Sequence, residues 1–297
     1  MQSSLTRLGL WAVTHTSLAV VGFAVDRWFV WAVVWFVQAW YLLTIAGTVH
    51  ECVHRHFVGR ARVDQAIGMA AASFGFMCFE GYKAQHLAHH ADACGPSDSE
   101  GEPYKFTSRW QIVGAFVGGG FLYALSVFFT AIFSALGATP KWLRTDRQRR
   151  RIRWNVLFLL VIYGAVAAAV AVGVVSFRGV AFAWLIPASL GLLGPLPFVL
   201  MPEHYDAPGP GSPFENTRTC VSNPLLRFLY MNTNLHTAHH LKASVPWQEM
   251  EAFHAEIEDR IAPEWIFPGY LAFHRFVWQT VGRPAAHEAA DPSAVGT

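Results

Sequence analysis

The sequence Asn-Leu-His-Thr-Ala-His-His-Leu-Lys-Ala-Ser-Val-Pro-Trp, residues 234–247, contains a cluster of three histidines. On a helix, His236, His239 and His240 are spaced i, i+3 and i+4, so the three imidazoles project from one face and can converge on a metal ion. The same histidine pattern recurs upstream, so this stretch is the starting point for interpreting the rest of the chain.

Two further histidine boxes precede this one. Residues 85–90 repeat the His-x-x-His-His spacing, and residues 50–54 contain an i, i+4 pair. With 14 histidines in 297 residues, two triplets and a pair are improbable as an accident of composition. The three boxes hold eight candidate metal ligands: His50, His54, His86, His89, His90, His236, His239 and His240.

A ninth histidine, His204, lies between the second and third boxes. Nine imidazoles are too many for one metal ion and suit two ions that share a site. Neutral imidazole binds iron, zinc, copper and nickel, so the histidines alone do not identify the metal. Polar side chains near the boxes are candidates for orienting the rings: Glu51, Asp92, Asp98, Glu203 and Asn234.

Composition points to a membrane protein. The chain is 53% hydrophobic and 14% charged, with a mean hydropathy of +0.29, whereas a soluble domain carries about 25% charged residues. The net charge of +2 is too small to indicate a nucleic-acid partner. The four cysteines form no Cys-x-x-Cys pair, which excludes a built-in rubredoxin-like or zinc-ribbon module and fits a reducing, cytosol-facing environment.

Four apolar segments are long enough to cross a bilayer: residues 8–25, 28–49, 155–175 and 181–201. Each pair of spans returns the chain to its starting side, so the boxes and His204 are expected at one membrane surface. Arg55, Arg60, Arg62 and the basic stretch 141–153 mark that surface as cytoplasmic by the positive-inside rule.

Two other apolar pieces are not expected to cross. Residues 63–79 are too short to cross twice, and they are expected to lie along the membrane or dip into it. Residues 110–136 must start and end on the cytoplasmic side if 141–153 is cytoplasmic, and the glycine triplet 118–120 offers the break for a re-entrant hairpin. Asn223-Pro224 predicts the start of the helix that carries the third box.

The expected fold is therefore an all-α integral membrane protein. It has four spanning helices, a re-entrant or peripheral hairpin, and a cytoplasmic cap that carries the histidine boxes. We expect a single domain over residues 1–297, with a disordered tail at 284–297. The expected location is the inner, cytoplasmic membrane, with the active site facing the cytoplasm.

The order and spacing of the boxes, placed after apolar hairpins, resemble the membrane fatty acid desaturase and hydroxylase superfamily. The resemblance covers residues 40–250, and both Thr-Arg-Thr at 217–219 and the third box look like those of bacterial fatty acid desaturases. It implies that the eight box histidines bind two Fe²⁺ ions. His204 matches the additional histidine that animal acyl-CoA desaturases carry between boxes two and three.

The chain also departs from these relatives at three positions. The animal enzymes place an Asn one helical turn before the extra histidine, and this position is Leu200 here. Ala238 stands where many relatives have Glu, and Lys83 stands where an Arg is common. These departures bear on the substrate rather than on membership of the superfamily.

The resemblance implies an oxygen-dependent oxidoreductase that acts on a fatty acyl chain. Two ferrous ions activate dioxygen, and hydrogen is abstracted from an unactivated C–H bond; a desaturase then removes a second hydrogen from the adjacent carbon. The acyl chain can be carried by a phospholipid, by CoA or by acyl-carrier protein. A histidine-box hydroxylase or carotenoid ketolase is the alternative enzyme, and a metal transporter is the more distant alternative.

The reaction also needs partners on the cytoplasmic side. It consumes two electrons, and the chain lacks a His-Pro-Gly-Gly cytochrome motif, so a separate donor such as ferredoxin or rubredoxin, with its reductase, is expected. The arginine-rich loop 144–153 can attract an acidic donor. Candidate cations for binding the head group of the substrate are Arg55, Lys83 and Arg218.

Overall fold

The computed structural model describes residues 3–100 and 104–282. In these residues the chain is mostly helical, and its only sheet is a parallel pair in which Thr219–Cys220 lies beside Ile266–Phe267. The disordered tail expected at 284–297 lies outside the described residues. The all-α class predicted from composition is therefore confirmed for the described part of the chain.

The first two thirds of the described chain form seven long helices. They are α1 Ser4–Val25, α2 Trp28–His54, α3 Ala61–Phe74, α4 Phe79–Ala91, α5 Arg109–Leu136, α6 Asp146–Ala171 and α7 Phe177–Leu200. Short helices then build a cap: α8 Pro213–Asn216, α9 Pro224–Leu229, α10 His236–Leu241, α11 Trp247–Ile257 and α12 Tyr270–Thr280. Two 3₁₀ turns, Glu258–Arg260 and Pro263–Trp265, join α11 to the second strand.

Five of these helices, α1, α2, α5, α6 and α7, are long and apolar enough to cross a membrane. Their outward faces carry large apolar side chains, of which Trp28, Trp110 and Leu136 are 82%, 82% and 79% exposed. An exposed apolar surface of this extent is stable against lipid and not against water. The chain is an integral membrane protein.

Helices α1 and α2 form a tight hairpin. Asp26 takes a left-handed conformation at φ 48°, and its N–H donates to Gly22 O, which ends α1. A Cβ on Gly22 would lie 2.7 Å from the Trp31 ring, so only glycine lets the two helices approach this closely. Arg178, at the turn between α6 and α7, pairs with Asp26; both hairpin turns therefore lie at the same end of the molecule.

The first histidine box is part of a spanning helix rather than of the loop after it. The sequence predicts the end of the second span at residue 49, whereas α2 continues to His54 and ends at Arg55, which is left-handed at φ 65°. His50 and His54 consequently stay one helical turn apart, with ring centroids 5.0 Å from each other. The rigid span itself positions these two rings.

The expected hairpin within residues 110–136 is wrong. Helix α5 is continuous, with one π-helical turn at Ala115–Gly119 that absorbs the glycine-rich stretch. Gly120 instead permits close helix packing, because a Cβ at this position would lie 2.1 Å from Leu192 O of α7. The break predicted from composition is thus a helix–helix contact.

Both ends of α5 contact segments near the histidine helices. At the C-terminal end, Arg153 donates to Ala135 O, and Lys141 Nζ lies 3.5 Å from Pro96 O in the loop after the second box. At the N-terminal end, the Arg109 guanidinium lies 4.9 Å from the ring of Trp278 in the cap helix α12.

Helices α3 and α4 pack against the long helices. The Phe74 ring packs 5.0 Å from Trp11 and 5.2 Å from His15, both in the middle of α1. Phe74 O accepts from Trp184 Nε1 of α7 at 2.8 Å. The chain then turns back through Cys78, and α4 carries the second box up to the level of the first.

Two local expectations are corrected in the last third of the chain. The arginine-rich stretch is not a loop beyond Thr145, because Thr145 and Gln148 form a capping box and α6 begins at Asp146. Asn223 caps α9 as predicted, but α9 ends at Leu229 and the third box begins a new helix. Between the two, Asn234 Nδ2 donates to Cys220 O at 2.7 Å and to Val221 O at 3.1 Å, which holds the chain in a turn.

Candidate metal centre

The nine histidines singled out in the sequence come together in two groups. The five-histidine group is His50, His54, His86, His90 and His239, and the four-histidine group is His89, His204, His236 and His240. Within each group the candidate ligand nitrogens lie within 4.8 Å of one another. The structure thus places all nine predicted ligands, including His204, in positions where they can hold metal.

Each His-x-x-His-His box contributes to both groups. On a helix, residues four apart share a face, whereas adjacent residues point about 100° apart. The second box accordingly gives His86 and His90 to the five-histidine group, and His89 to the other. The third box does the reverse: His236 and His240 join the four-histidine group, and His239 crosses to the first.

The ring nitrogens in both groups are unusually close. In the five-histidine group, His239 Nε2 lies 3.1 Å from His50 Nε2 and 2.9 Å from His90 Nε2. In the four-histidine group, His204 Nε2 lies 3.1 Å from His89 Nε2 and 3.0 Å from His236 Nε2. Each ring must therefore present either a lone pair or a proton to another ring at contact distance.

The hydrogen bonds of the Nδ1 atoms show whether Nε2 of the same ring carries a lone pair or a proton. His86 Nδ1 lies 2.9 Å from Glu100 Oε1, His89 Nδ1 lies 2.8 Å from Asp98 Oδ1, and His204 Nδ1 lies 2.8 Å from Asn216 O. In each case the acceptor is an oxygen, so the proton sits on Nδ1 and the Nε2 lone pair points inward. Lone pairs that face one another repel, and a cation between them removes the repulsion.

Two further inward nitrogens have no partner of their own. His54 Nε2 and His240 Nε2 are buried and make no hydrogen bond, although buried polar atoms are nearly always satisfied. Burial lowers the pKa of His86, His236, His239 and His240 well below the usual value, which keeps these rings in the neutral form that binds metal. The donor sets therefore fit metal ions in both groups.

The side chains predicted to orient the histidine rings differ in whether they contact a ring. Glu51 Oε1 lies 3.4 Å from His50 Nδ1, and Glu203 Oε1 lies 3.8 Å from His236 Nδ1 while accepting from Tyr230 OH. Asp92 bonds no ring in the described structure; it accepts from the N–H of Ser97. Asn234 braces the backbone before the third box.

Sequence reasoning missed two ring partners. Glu100 bonds His86 from the loop after the second box, and Asn216 bonds His204 from the end of the short helix α8; tertiary packing sets both positions. The acidic run 98–102 after the second box is a signal that could have led to Glu100, since Asp98 belongs to the same run. The contact of Asn216 is made by its backbone carbonyl and leaves no signal in the sequence.

A cavity of about 350 Å³ adjoins both groups. Five of the nine histidines line it: His50, His86, His89, His204 and His236. Its other walls are mostly apolar and come from the C-terminal third of α2, from the π-helical region of α5 and from the end of α7, with Val49, Gly120 and Leu200 among the lining residues. An apolar molecule can therefore reach both groups of histidines at once.

The three candidate head-group cations are not equally available. Arg55 is exposed at the C-terminal end of α2. Lys83 is buried within α4, 5.5 Å from the centre of the Phe79 ring. Arg218 is also buried: it donates to Tyr205 O at 2.6 Å and to Glu264 O at 3.0 Å, so it braces the cap rather than facing a ligand.

Comparison with known proteins agrees with the resemblance read from the boxes. sn-1 oleoyl-lipid 12-desaturases from Picosynechococcus sp. and Arthrospira platensis are 24% and 21% identical over 294 and 285 residues. These alignments cover 88% and 86% of this chain, and 78% and 76% of the cyanobacterial proteins. A probable fatty acid desaturase from Sorghum bicolor is 30% identical over 86 residues, which is 27% of this chain and 22% of the plant protein.

A family model described as fatty acid desaturase matches residues 26–274. This range contains all nine histidines, both groups that they form and every residue that lines the cavity. The chain belongs to the fatty acid desaturase family.

Proposed function

We propose that the chain is an oxygen-dependent desaturase that introduces a double bond into a fatty acyl chain, with one iron ion in each histidine group. The observation that carries the proposal is that a mostly apolar cavity reaches both groups. The members of the family use iron, and five and four imidazole nitrogens suit ferrous iron as ligands.

Bound iron would supply the redox chemistry by which dioxygen takes four electrons, two from the acyl chain and two from a donor, and leaves with two added protons as two water molecules. The chain's own contribution is to hold and place the reactants. The apolar walls around Val49 and Leu200 exclude water and favour a hydrocarbon segment beside the histidines. Holding two adjacent carbons against one site is what gives an alkene rather than an alcohol.

We further propose that the acyl chain is supplied as part of a membrane lipid. Two relatives that align over most of this chain are named for oleoyl-lipid substrates. An integral membrane chain with an apolar cavity can take such a substrate directly from the bilayer. Thioesters of CoA or acyl-carrier protein remain the alternatives, and they would approach from the aqueous side.

The proposed topology has four crossings, by α1, α2, α6 and α7, with the histidine cap in the cytoplasm and α5 lying against the bundle. Both ends of α5 contact segments near the boxes, which supports an even number of crossings. The first turns of α6 carry the densest arginine run, and positive residues mark the cytoplasmic side. In a bacterial cell this places the active site at the inner face of the cytoplasmic membrane.

The two electrons are proposed to come from a separate acidic protein such as ferredoxin or rubredoxin, together with its reductase. All four cysteines are free, buried and distant in sequence, so they offer no iron–sulfur site. Burial raises the pKa of Glu80, and the charges of Lys83, Arg151 and Arg55 oppose that shift. The end of α2 and the start of α6 therefore contribute to one basic surface, which complements an acidic donor.

The test is expression of the chain in a host membrane, with ferredoxin and its reductase supplied, followed by lipid analysis. A perdeuterated acyl substrate is expected to give a product that has lost two deuterium atoms and gained no oxygen. A product that contains one oxygen from labelled dioxygen would contradict the desaturase proposal and indicate the hydroxylase alternative. Metal analysis of the purified chain is expected to give two iron ions per molecule.

A further inference from the structure

A polar pocket lies between the start of α1 and the cap, and it shares no lining residue with the catalytic cavity. Its volume is about 370 Å³, and Arg7, Arg227 and Gln248 are among the residues that line it. Trp247 and Phe228 form its apolar walls. This pocket has no part in the proposed reaction.

Arg7 is held in this pocket with its charge unmatched. Its guanidinium lies 3.8 Å from the centre of the Trp247 ring and 4.2 Å from that of Phe228, and one N–H donates to Phe228 O. Over residues 3–100 and 104–282, no carboxylate pairs with Arg7, and its Nε is buried without a hydrogen-bond partner. A positioned guanidinium with free donors is suited to an anion that accepts two hydrogen bonds.

The neighbouring charges leave the pocket positive. Arg227 lies beside Arg7 along the pocket wall and pairs with Glu251 at 2.5 Å. The two arginines and one glutamate give the pocket one excess positive charge. The site therefore favours a single anionic group such as a phosphate.

An apolar groove of about 790 Å³ runs along the other side of the same short helix, α9. Pro224 and Arg227 of α9 line the polar pocket, whereas Leu225 and Leu226 line the groove. The groove continues to Phe36 in the middle of α2. It therefore leads from the level of the arginines towards the middle of the membrane.

The polar pocket also sits at the expected height for a lipid head group. Leu5 and Leu10, on either side of Arg7 in α1, are 52% and 43% exposed, and Leu225 is 62% exposed. These apolar side chains face lipid, while the cap begins immediately above them. Arginine at this boundary can keep its charge near the phosphate layer.

We propose that this region binds a membrane glycerophospholipid, with the phosphate at Arg7 and one acyl chain in the groove beside α9. Charge selects the phosphate, and the apolar groove selects a lipid over a free anion. The site is separate from the catalytic cavity and does not depend on the proposed reaction.

The experiment measures lipid retention by the full chain, purified in a neutral detergent, by native mass spectrometry. Phosphatidylglycerol and a phosphate-free galactosyl diacylglycerol with the same acyl chains are added at equal concentrations. We expect wild type to retain the phospholipid about tenfold better, since charge-assisted bonds to a phosphate are stronger than neutral ones. Arg7→Gln should remove this preference, and Arg62→Gln, which changes an exposed arginine outside both cavities, should keep it.

A parallel thermal-unfolding measurement separates the two sources of phosphate, because a ligand that binds the native state raises the midpoint of unfolding. Phosphatidylglycerol is expected to raise the midpoint, and inorganic phosphate at the same concentration is not. Stabilisation by inorganic phosphate alone, or equal retention of both lipids by wild type, would overturn the proposal.

If Arg7→Gln does not fold, Arg227→Gln provides the test. The Arg227 side chain lines the same pocket, and its replacement removes a positive charge and leaves Glu251 without its partner. This variant should retain the phospholipid several-fold less than wild type. Ala272→Trp, which fills the groove next to α12, should also weaken retention. Wild-type retention in both of these folded variants would contradict the proposed site.

Discussion

His89 Nδ1 lies 2.8 Å from Oδ1 and 2.9 Å from Oδ2 of Asp98, so both carboxylate oxygens of Asp98 face one imidazole. Asp98 Oδ2 also accepts from the N–H of Cys94 at 2.7 Å. The carboxylate is thus fixed by the loop after the second box, and it fixes the orientation of a ring in the four-histidine group. The ring keeps its proton on Nδ1 and its lone pair on Nε2.

Asp98→Asn should therefore weaken metal binding without removing a ligand. The amide keeps the shape of the side chain but loses the negative charge that raises the basicity of His89, and changes of this kind typically cost 10- to 100-fold in metal affinity or activity. Iron content after dialysis against a graded chelator measures the effect. The matched control is Asp92→Asn in the same loop, since Asp92 bonds no ring; equal iron retention in the two variants would contradict the orienting role of Asp98.

The division into two groups predicts the effect of removing single ligands. His239→Ala takes one nitrogen from the five-histidine group, and His236→Ala takes one from the four-histidine group. Each variant should lose mainly the ion of its own group, so that iron falls from the proposed two ions per chain towards one, and each should lose activity because the proposed reaction uses both ions. His56→Ala, which belongs to neither group, should keep wild-type iron.

Membrane insertion should be unchanged in these variants, because the apolar helices and not the boxes drive it. Loss of both ions in His236→Ala, or full occupancy in both variants, would contradict separate sites. Mössbauer spectra of ⁵⁷Fe-loaded protein distinguish a remaining single ion from an intact pair.

The eight box histidines could be singled out from the sequence because their evidence is local, whereas His204 was singled out through the family resemblance. Spacings of three and four residues place side chains on one helical face whatever the rest of the chain does. The same holds for the membrane class, which follows from apolar runs of spanning length. The family resemblance read from the boxes was confirmed by the match over residues 26–274.

The pairing of rings between helices could not be predicted in the same way. His239 meets His50 and His90 only because α2, α4 and α10 converge, and no spacing encodes that approach. The glycines of α5 show the opposite problem. Glycine is compatible with a break and with close packing, and only the position of Leu192 on a neighbouring helix decides between them.

Two glycines of α5 should respond to substitution in opposite directions. A Cβ on Gly120 would lie 2.1 Å from Leu192 O, so Gly120→Ala must push α5 away from α7 and should lower stability by about 1–3 kcal/mol. Gly118 has only Leu122 Cδ1 nearby, at 3.8 Å, so Gly118→Ala should be neutral or raise stability by up to about 1 kcal/mol. Thermal unfolding in detergent measures both.

Because Gly120 also lines the catalytic cavity, its variant should lose activity together with stability. Equal unfolding midpoints for the two alanine variants would contradict the role assigned to close packing of α5 on α7.

The basic surface at the start of α6 should control the encounter with the electron donor. Arg147, Arg150 and Arg151 lie in the first two turns of this helix and are partly or fully exposed. Changing all three to Gln should lower kcat/KM for an acidic ferredoxin severalfold at low salt, because exposed charges steer association and are screened as ionic strength rises. The measurement is turnover as a function of donor concentration and of salt, for the variant and for wild type.

The turnover rates of the variant and of wild type should converge at high salt, where the Debye length is about 3 Å at 1 M. Arg27→Gln, at the hairpin turn of the opposite end, should leave the salt dependence unchanged. If wild type and the triple variant give the same salt curve, these arginines orient the chain in the membrane and do not recruit the donor.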